Sequence, residues 1–299
     1  MAAPTSRLLT AVTGLSAARL MWIAVAVSGA WAIGDAMHGR SSAVVVTVSV
    51  LGWLLWGAGV VALVVPSTLG LTVMRMLAAL ATGASVVAWI GGASPGSGAT
   101  FVGSTLVCSA IVGGAELGQR CVQASAYGDE QRFLLRPPAA FLLPVGVAAL
   151  LWIAVTLAAP LALASRQWIA GVPLAGVCIA LTWLLVPRFN ALCRRWLVLV
   201  PAGLVVHDQV VLSETLMVPR ALVDGIDLAL AGTEAADLTG PAAGHAVEVS
   251  VRSAVTAILS PTRAAPRGTA LHMHSFIVAP SRPGAVLRAV QAAMPPPST

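Results

Sequence analysis

Residues 43–65 read AVVVTVSVLGWLLWGAGVVALVV, twenty-three consecutive positions without a charge. Coiled as an α-helix at ~1.5 Å per residue, that run is roughly 35 Å long, enough to cross a hydrocarbon layer of ~30 Å. Five further stretches are long and apolar, three of them with one charged residue each (Asp35, Arg75 and Glu116): Leu20 to Met37, Leu71 to Ile90, Ala99 to Gly118, Ala139 to Ala159 and Trp168 to Val186. The breaks between them carry turn residues, Gly39-Arg40-Ser41, Pro66-Ser67 and the 91–98 segment with Pro95. Tryptophans 22, 53, 56, 89, 152, 168 and 183 lie in these runs, several near an end, where an amphipathic ring favours the membrane interface. Pro144 and Pro173 fall inside the fifth and sixth runs, where prolines usually kink a helix. The fold class implied is a membrane all-α bundle of about six transmembrane helices, residues 1–187, ahead of a soluble region at 188–299.

Composition supports that division. The chain is 58% hydrophobic and 9% charged, with a mean hydropathy of +0.90. A soluble domain carries roughly 25% charged residues. All seventeen basic residues are Arg, which removes the P-loop lysine, the Schiff-base lysine and the kinase lysine from the available chemistry. From Arg188 onward nine Arg face seven acids, a balance that gives no reason to expect nucleic acid as a partner. The cysteines (108, 121, 178 and 193) lack CxxC spacing and read as small buried hydrophobes.

The arginines orient the bundle. With the N-terminus inside, nine Arg (7, 19, 75, 120, 132, 136, 188, 194 and 195) fall on the inner side and two (40 and 166) on the outer. The expected location is the cell (plasma) membrane, multi-pass, with the N-terminus and the C-terminal domain cytoplasmic. A cleaved signal peptide ending near Ala30-Trp31-Ala32 is the rival reading. It is disfavoured because the apolar run continues past that point.

After Pro187 the pattern shortens. Trp196 to Val200 and Leu204 to His207 flank Pro201-Ala202-Gly203 as a β-hairpin. Further strands are expected at 216–218, 222–230, 245–252, 254–259 and 270–278, with turn-rich segments at 232–244 and 261–268. Ser281 is expected to cap a helix with Pro283 in its first turn, running to Ala293 and ended by Pro295-Pro296-Pro297 ahead of a disordered tail. The result is a small β-rich α+β domain. Its element order, together with the Val200-Pro201-Ala202-Gly203-Leu204 hairpin, resembles the pleckstrin-homology-like domains of bacterial membrane proteins. The whole chain resembles the uncharacterised multi-pass proteins of high-GC actinobacteria, which implies a location and supplies no activity.

The polar clusters are few. Glu116 is expected within the fourth helix near its inner end, pairing with Arg120 one turn on, while Gly114 and Gly118 admit a neighbouring helix. An acid in a span is otherwise a candidate for an ion path. Asp35, with His38 and Arg40, forms a similar group at the outer end of the first helix. The 127–132 loop, containing Asp129, Glu130 and Arg132, reads first as solvated and second as docking against the C-terminal domain. Arg194 and Arg195 read as membrane-proximal anchors or partner contacts. Gly92-Ala93-Ser94-Pro95-Gly96 matches GxSxG, but a nucleophile elbow comes after a strand and this string comes after a span, so it reads as a turn. His272 and His274, with His207 or His245, form the only imaginable metal set, and their spacing fits a polar strand face better. The expectation is a non-enzymatic scaffold with no catalytic, cofactor or metal residues. Its partners would be membrane lipids and a membrane or cytoplasmic protein. The alternative is a transporter or channel component using Glu116 and Asp35.

Overall fold

The computed structural model describes the backbone of residues 5–261 and 265–293, and the side chains of these from residue 14 to residue 292. Arg7 as a side chain and the Pro295-Pro296-Pro297 tail lie outside the described residues. Seven helices precede the C-terminal strands: α1 (Thr5–Ala36), α2 (Ser42–Val64), α3 (Thr68–Ile90), α4 (Pro95–Gly113), α5 (Ala115–Gln123), α6 (Ala139–Ala164) and α7 (Trp168–Cys193). All except α5 are long and apolar enough to cross a membrane. The helix of α7 runs on through Pro173 and Pro187.

Two compact units divide the chain, residues 1–120 with 145–189 and residues 121–144 with 190–299. In the first, α1 to α4 pack on one another around Trp22, Leu71, Met74, Leu80, Phe101 and Val112. Glycines set the closest approaches. A Cβ on Gly59 of α2 would lie 2.5 Å from the Trp22 ring, and one on Gly29 of α1 would lie 2.9 Å from Phe101. Trp22 Nε1 donates to the Trp56 carbonyl at 2.9 Å, and Trp56 Nε1 donates back to the Trp22 carbonyl at 3.0 Å. Each indole thus satisfies its only donor where lipid offers no acceptor. Helices α6 and α7 keep most of their apolar surface exposed, for example Leu143 at 77% and Ile169 at 97%, the pattern of lipid-facing helices.

The second unit holds two four-stranded sheets. The first, ordered β1-β2-β3-β4, is antiparallel throughout: β1 (Gln131–Leu134), β2 (Trp196–Val200), β3 (Gly203–His207) and β4 (Leu216–Pro219). The second is ordered β5-β7-β8-β6: β5 (Val223–Leu228), β6 (Ala236–Asp237), β7 (Val247–Leu259) and β8 (Thr269–Val278), with β6 parallel to β8. Helix α8 (Pro283–Ala293) comes last. Period-two alternation sends Leu197, Leu199, Leu204, Val206 and Val218 inward. They share one core with Val247, Val249, Phe276 and Val278 of the second sheet and Val286 of α8. The hairpin turn needs its glycine: Gly203 has φ +152°, and a Cβ there would lie 2.2 Å from the Val218 carbonyl oxygen.

The structure departs from the sequence expectation at four places. Strand β1 begins inside the 127–132 region, whose polarity points to a solvated loop; Phe133 is buried and pairs with Leu197. Helix four stops at Gly113, because Gly114 takes an extended conformation (ψ 151°), so Glu116 belongs to the first turn of a separate helix, α5. The two strands expected at 245–252 and 254–259 form one strand with a register shift between Ser250 and Val255. Ser281 does not cap α8: Arg282 holds that position, its carbonyl accepting from Ala285 N, and the Ser281 hydroxyl is buried without a partner among the described residues.

Candidate functional site

At the end of the bundle where α1 meets the start of α4, Asp35 does not pair with Arg40. Its carboxylate accepts from the Ser97 hydroxyl at 2.6 Å and from Ser94 N at 3.2 Å. The acid therefore closes the N-terminus of α4, whose own cap is Ser94, a placement favoured by the helix dipole. The GxSxG string is this cap: Ser94 accepts from Ser97 N and is preceded by α3, not by a strand. His38 Nδ1 meets the Asp35 carbonyl, and Arg40 donates to the Gly91 carbonyl.

Below that end, hydroxyls of α1, α3 and α4 meet in pairs across the helix contacts. Ser28 lies 2.7 Å from Ser104, Ser85 3.2 Å from Thr105, and Thr82 3.1 Å from Ser109. Most also bond a carbonyl of their own helix one turn back, so each is satisfied without a charge. At the opposite end Arg75 Nε donates to the Val112 carbonyl, and Arg19 donates twice to the Leu63 carbonyl. Glu116 borders a cavity of about 320 Å³ lined by Gly14, Ala17, Ile111, Gly114 and Leu117. A Cβ on Gly14 would lie 2.8 Å from the Glu116 carboxylate, so the close approach expected at Gly114 is made by Gly14 of α1. Glu116 and Arg120 form none of the three ion pairs among the described residues, and Arg120 Nε is buried without a partner there.

The sheet unit gathers its charges more tightly. Arg195 is 1% exposed and its guanidinium bonds Asp208 side-on, Nε to Oδ1 at 2.8 Å and one Nη to Oδ2 at 2.7 Å. The remaining donors reach the Arg136 and Thr239 carbonyls. Asp208 Oδ1 also accepts from Val210 N and Val211 N, forming the turn after β3. Arg195, read from sequence as an anchor or partner contact, is therefore a buried internal residue.

On the other face of the first sheet, side chains of three neighbouring strands stack. The Arg132 guanidinium lies 5.1 Å from the Trp196 ring centroid, and the His207 ring lies 5.0 Å from it at 20°. Glu130 fixes Arg132 through Nε and Nη at 2.9 and 2.6 Å. His207 Nδ1 meets the Thr215 hydroxyl, while Nε2 is buried without a partner among the described residues. Burial lowers the His207 pKa first, Arg194 and Arg132 lower it further, and Asp208 opposes them. Burial likewise depresses the Arg136 pKa. Asp129 and Arg194 are exposed and join no ion pair among the described residues.

No family model matches the chain, and neither a curated protein nor a solved structure matches it.

His207 belongs to the first sheet, and His272 and His274 to β8 of the second, where His272 bonds Thr256. Among the described residues no three His, Cys, Asp or Glu converge as metal ligands. Sequence reasoning does not single out Asp208, Trp196 or the stacked role of His207. The available signal is an Arg directly before a strand and an Asp directly after its hairpin partner.

Proposed function

We propose that this chain is a non-enzymatic scaffold of the plasma membrane, a six-span anchor presenting a cytoplasmic β-rich domain for protein or lipid contact. The observation that carries the reading is the apolar surface of the sheet unit outside the spans. Leu228 and Leu230 at the end of β5 are 50% and 78% exposed, Met217 on β4 is 55% exposed, and Tyr127 is 90% exposed. Leu228 and Leu230 are two positions apart, and exposed apolar side chains that cluster, unlike ones scattered singly, mark contact sites. Two charged pairs of the same unit, Arg195 with Asp208 and Arg132 with Glu130, are in contrast engaged within it.

Topology and charge together support the proposed sidedness. Strand β1 precedes α6 and pairs with β2, which comes after α7, so an even number of crossings separates them. Six spans are consistent with the sheet unit lying on the side of the N-terminus, and the nine-to-two division of arginines supports a cytoplasmic reading of that side. Two sheets closed by α8 support the resemblance to pleckstrin-homology-like domains, although the α6–α7 insertion is not part of that element order.

The test places a photo-crosslinking amino acid at Leu230 in the full chain, in native membranes. A discrete protein or phospholipid adduct that disappears when Glu214, an exposed polar position, carries the only probe supports the scaffold. Illumination that yields only unmodified chain with the probe at Leu228, Leu230 or Met217 overturns it. A second reading, a transporter component, is favoured by the Glu116 cavity. Substrate-dependent flux abolished by Glu116→Gln would establish it in place of the scaffold.

A further inference from the structure

The segment joining β1 to α6 is held on every side by parts of the chain far from it in sequence. Leu135 N donates to the Arg195 carbonyl at 2.9 Å, and Arg136 N to the Ala279 carbonyl at 2.8 Å. Ser281 N donates to the Leu134 carbonyl at 2.7 Å, and Ala139 N to the Pro241 carbonyl at 3.1 Å. Arg136 also donates from its side chain to the His245 carbonyl. The buried guanidinium of Arg195 ties three of these parts together, because it reaches Asp208, the Arg136 carbonyl and the Thr239 carbonyl. Phe133 and Leu135, on either side of Leu134, enter the core at 6% and 2% exposure.

We propose that residues 131–139 are a strap that completes the sheet unit, and that Arg195 with Asp208 is the latch closing it. The unit is a split domain. Its strap is encoded before α6, its latch lies immediately after α7, and residues 190–299 alone lack an edge strand of the first sheet. Four segments, 133–139, 195–199, 238–242 and 279–281, therefore open and close as one cooperative element. A buried charge whose partner is removed cannot stay in place, and its departure releases all the carbonyls it holds. Such a strap gives the domain one discrete way to open while the strands β7 and β8 stay paired.

Hydrogen exchange of the full chain in lipid nanodiscs tests this directly. In the unmodified protein, the four segments should share one opening free energy and one denaturant dependence, with β7 and β8 better protected. Asp208→Asn should raise exchange in all four together, by roughly a hundredfold. Phe133→Asp, which lifts the strap from its other side, should open the same set. Replacing the pair together (Arg195→Met with Asp208→Leu) should restore protection, because apolar residues of similar volume replace a buried ion pair without an orphaned charge. Should the variants fail to fold, the measurement on the unmodified protein decides alone. Different opening energies for the four segments, or faster exchange confined to residues 207–211 in Asp208→Asn, would overturn the proposal.

Discussion

Gly59→Ala is predicted to destabilise the helix bundle, against the usual sign for that exchange. In an open helical position Ala is better than Gly by ~1 kcal/mol. At Gly59 the added methyl would lie 2.5 to 2.6 Å from three atoms of the Trp22 indole, so the ring has to leave. Overpacking of this kind costs about 1–3 kcal/mol. Loss of the bond that the Trp22 indole donates to the Trp56 carbonyl adds about 0.6 kcal/mol, the typical value for interhelical bonds in lipid. Set against the propensity gain, the net destabilisation is about 0.5–2.5 kcal/mol. Gly52 and Gly57 on the same helix supply the control, since neither would bring a Cβ within 4 Å of another group. The assay is reversible unfolding in mixed micelles, titrated with a denaturing detergent. Gly57→Ala should leave the midpoint unchanged or raise it, while Gly59→Ala lowers it. Trp22→Ala combined with Gly59→Ala should cost at least about 1 kcal/mol less than the sum of the single changes. A Gly59→Ala protein as stable as the Gly57→Ala control, or strict additivity with Trp22→Ala, would refute the packing argument.

The same physics gives further expected outcomes. Because the folded-state pKa of His207 is lowered, the unfolded chain binds its proton more readily; the associated stability is full above the ordinary histidine value near ~6.5 and is lost as pH falls below it. A melting-temperature series from pH 7.5 to 5 should therefore fall less steeply in His207→Phe, and an unchanged slope would contradict the assignment. Asp35→Ala removes a carboxylate that accepts from the Ser97 hydroxyl and Ser94 N and should lower the midpoint in the same micelle titration; an unchanged midpoint would contradict its role at the start of α4. If the Glu116 cavity opens to the cytoplasmic side, Glu116→Cys should be modified by a membrane-impermeant maleimide in inside-out vesicles and not in right-side-out ones. Equal labelling from both sides would contradict the orientation.

The spans are legible because an apolar run with at most one charge, long enough to cross lipid, has few other structural meanings. Their ends are less so. The apolar run through 99–118 hides the break at Gly113 and Gly114, since glycine is ordinary in a membrane helix and the extended ψ of Gly114 leaves no mark in composition. The hairpin at 196–207 is plain from alternation around Pro201-Ala202-Gly203. Strand β1 is not, because four residues beside a polar loop carry too little period to be seen, and their partner lies beyond two membrane helices. Arg195 misleads for another reason: an arginine after a span already has a topological explanation, and nothing local reveals the Asp208 it meets thirteen residues later. The pattern suggests two strands where β7 is one, because Arg252-Ser253 interrupts the alternation at the register shift.

Placing β1 upstream of α6 also sets a schedule for biosynthesis. Leu134 leaves the ribosome ahead of its ladder partner Trp196 by the whole of the α6–α7 hairpin. At synthesis rates of ~5–20 residues per second, the delay is on the order of 3–12 seconds. Throughout it, Phe133 and Leu135 wait without a core and an edge strand waits without a neighbour. Translation pauses, insertase occupancy or a holding chaperone acting in that window would decide how much of the chain matures, even though none of them touches the finished protein.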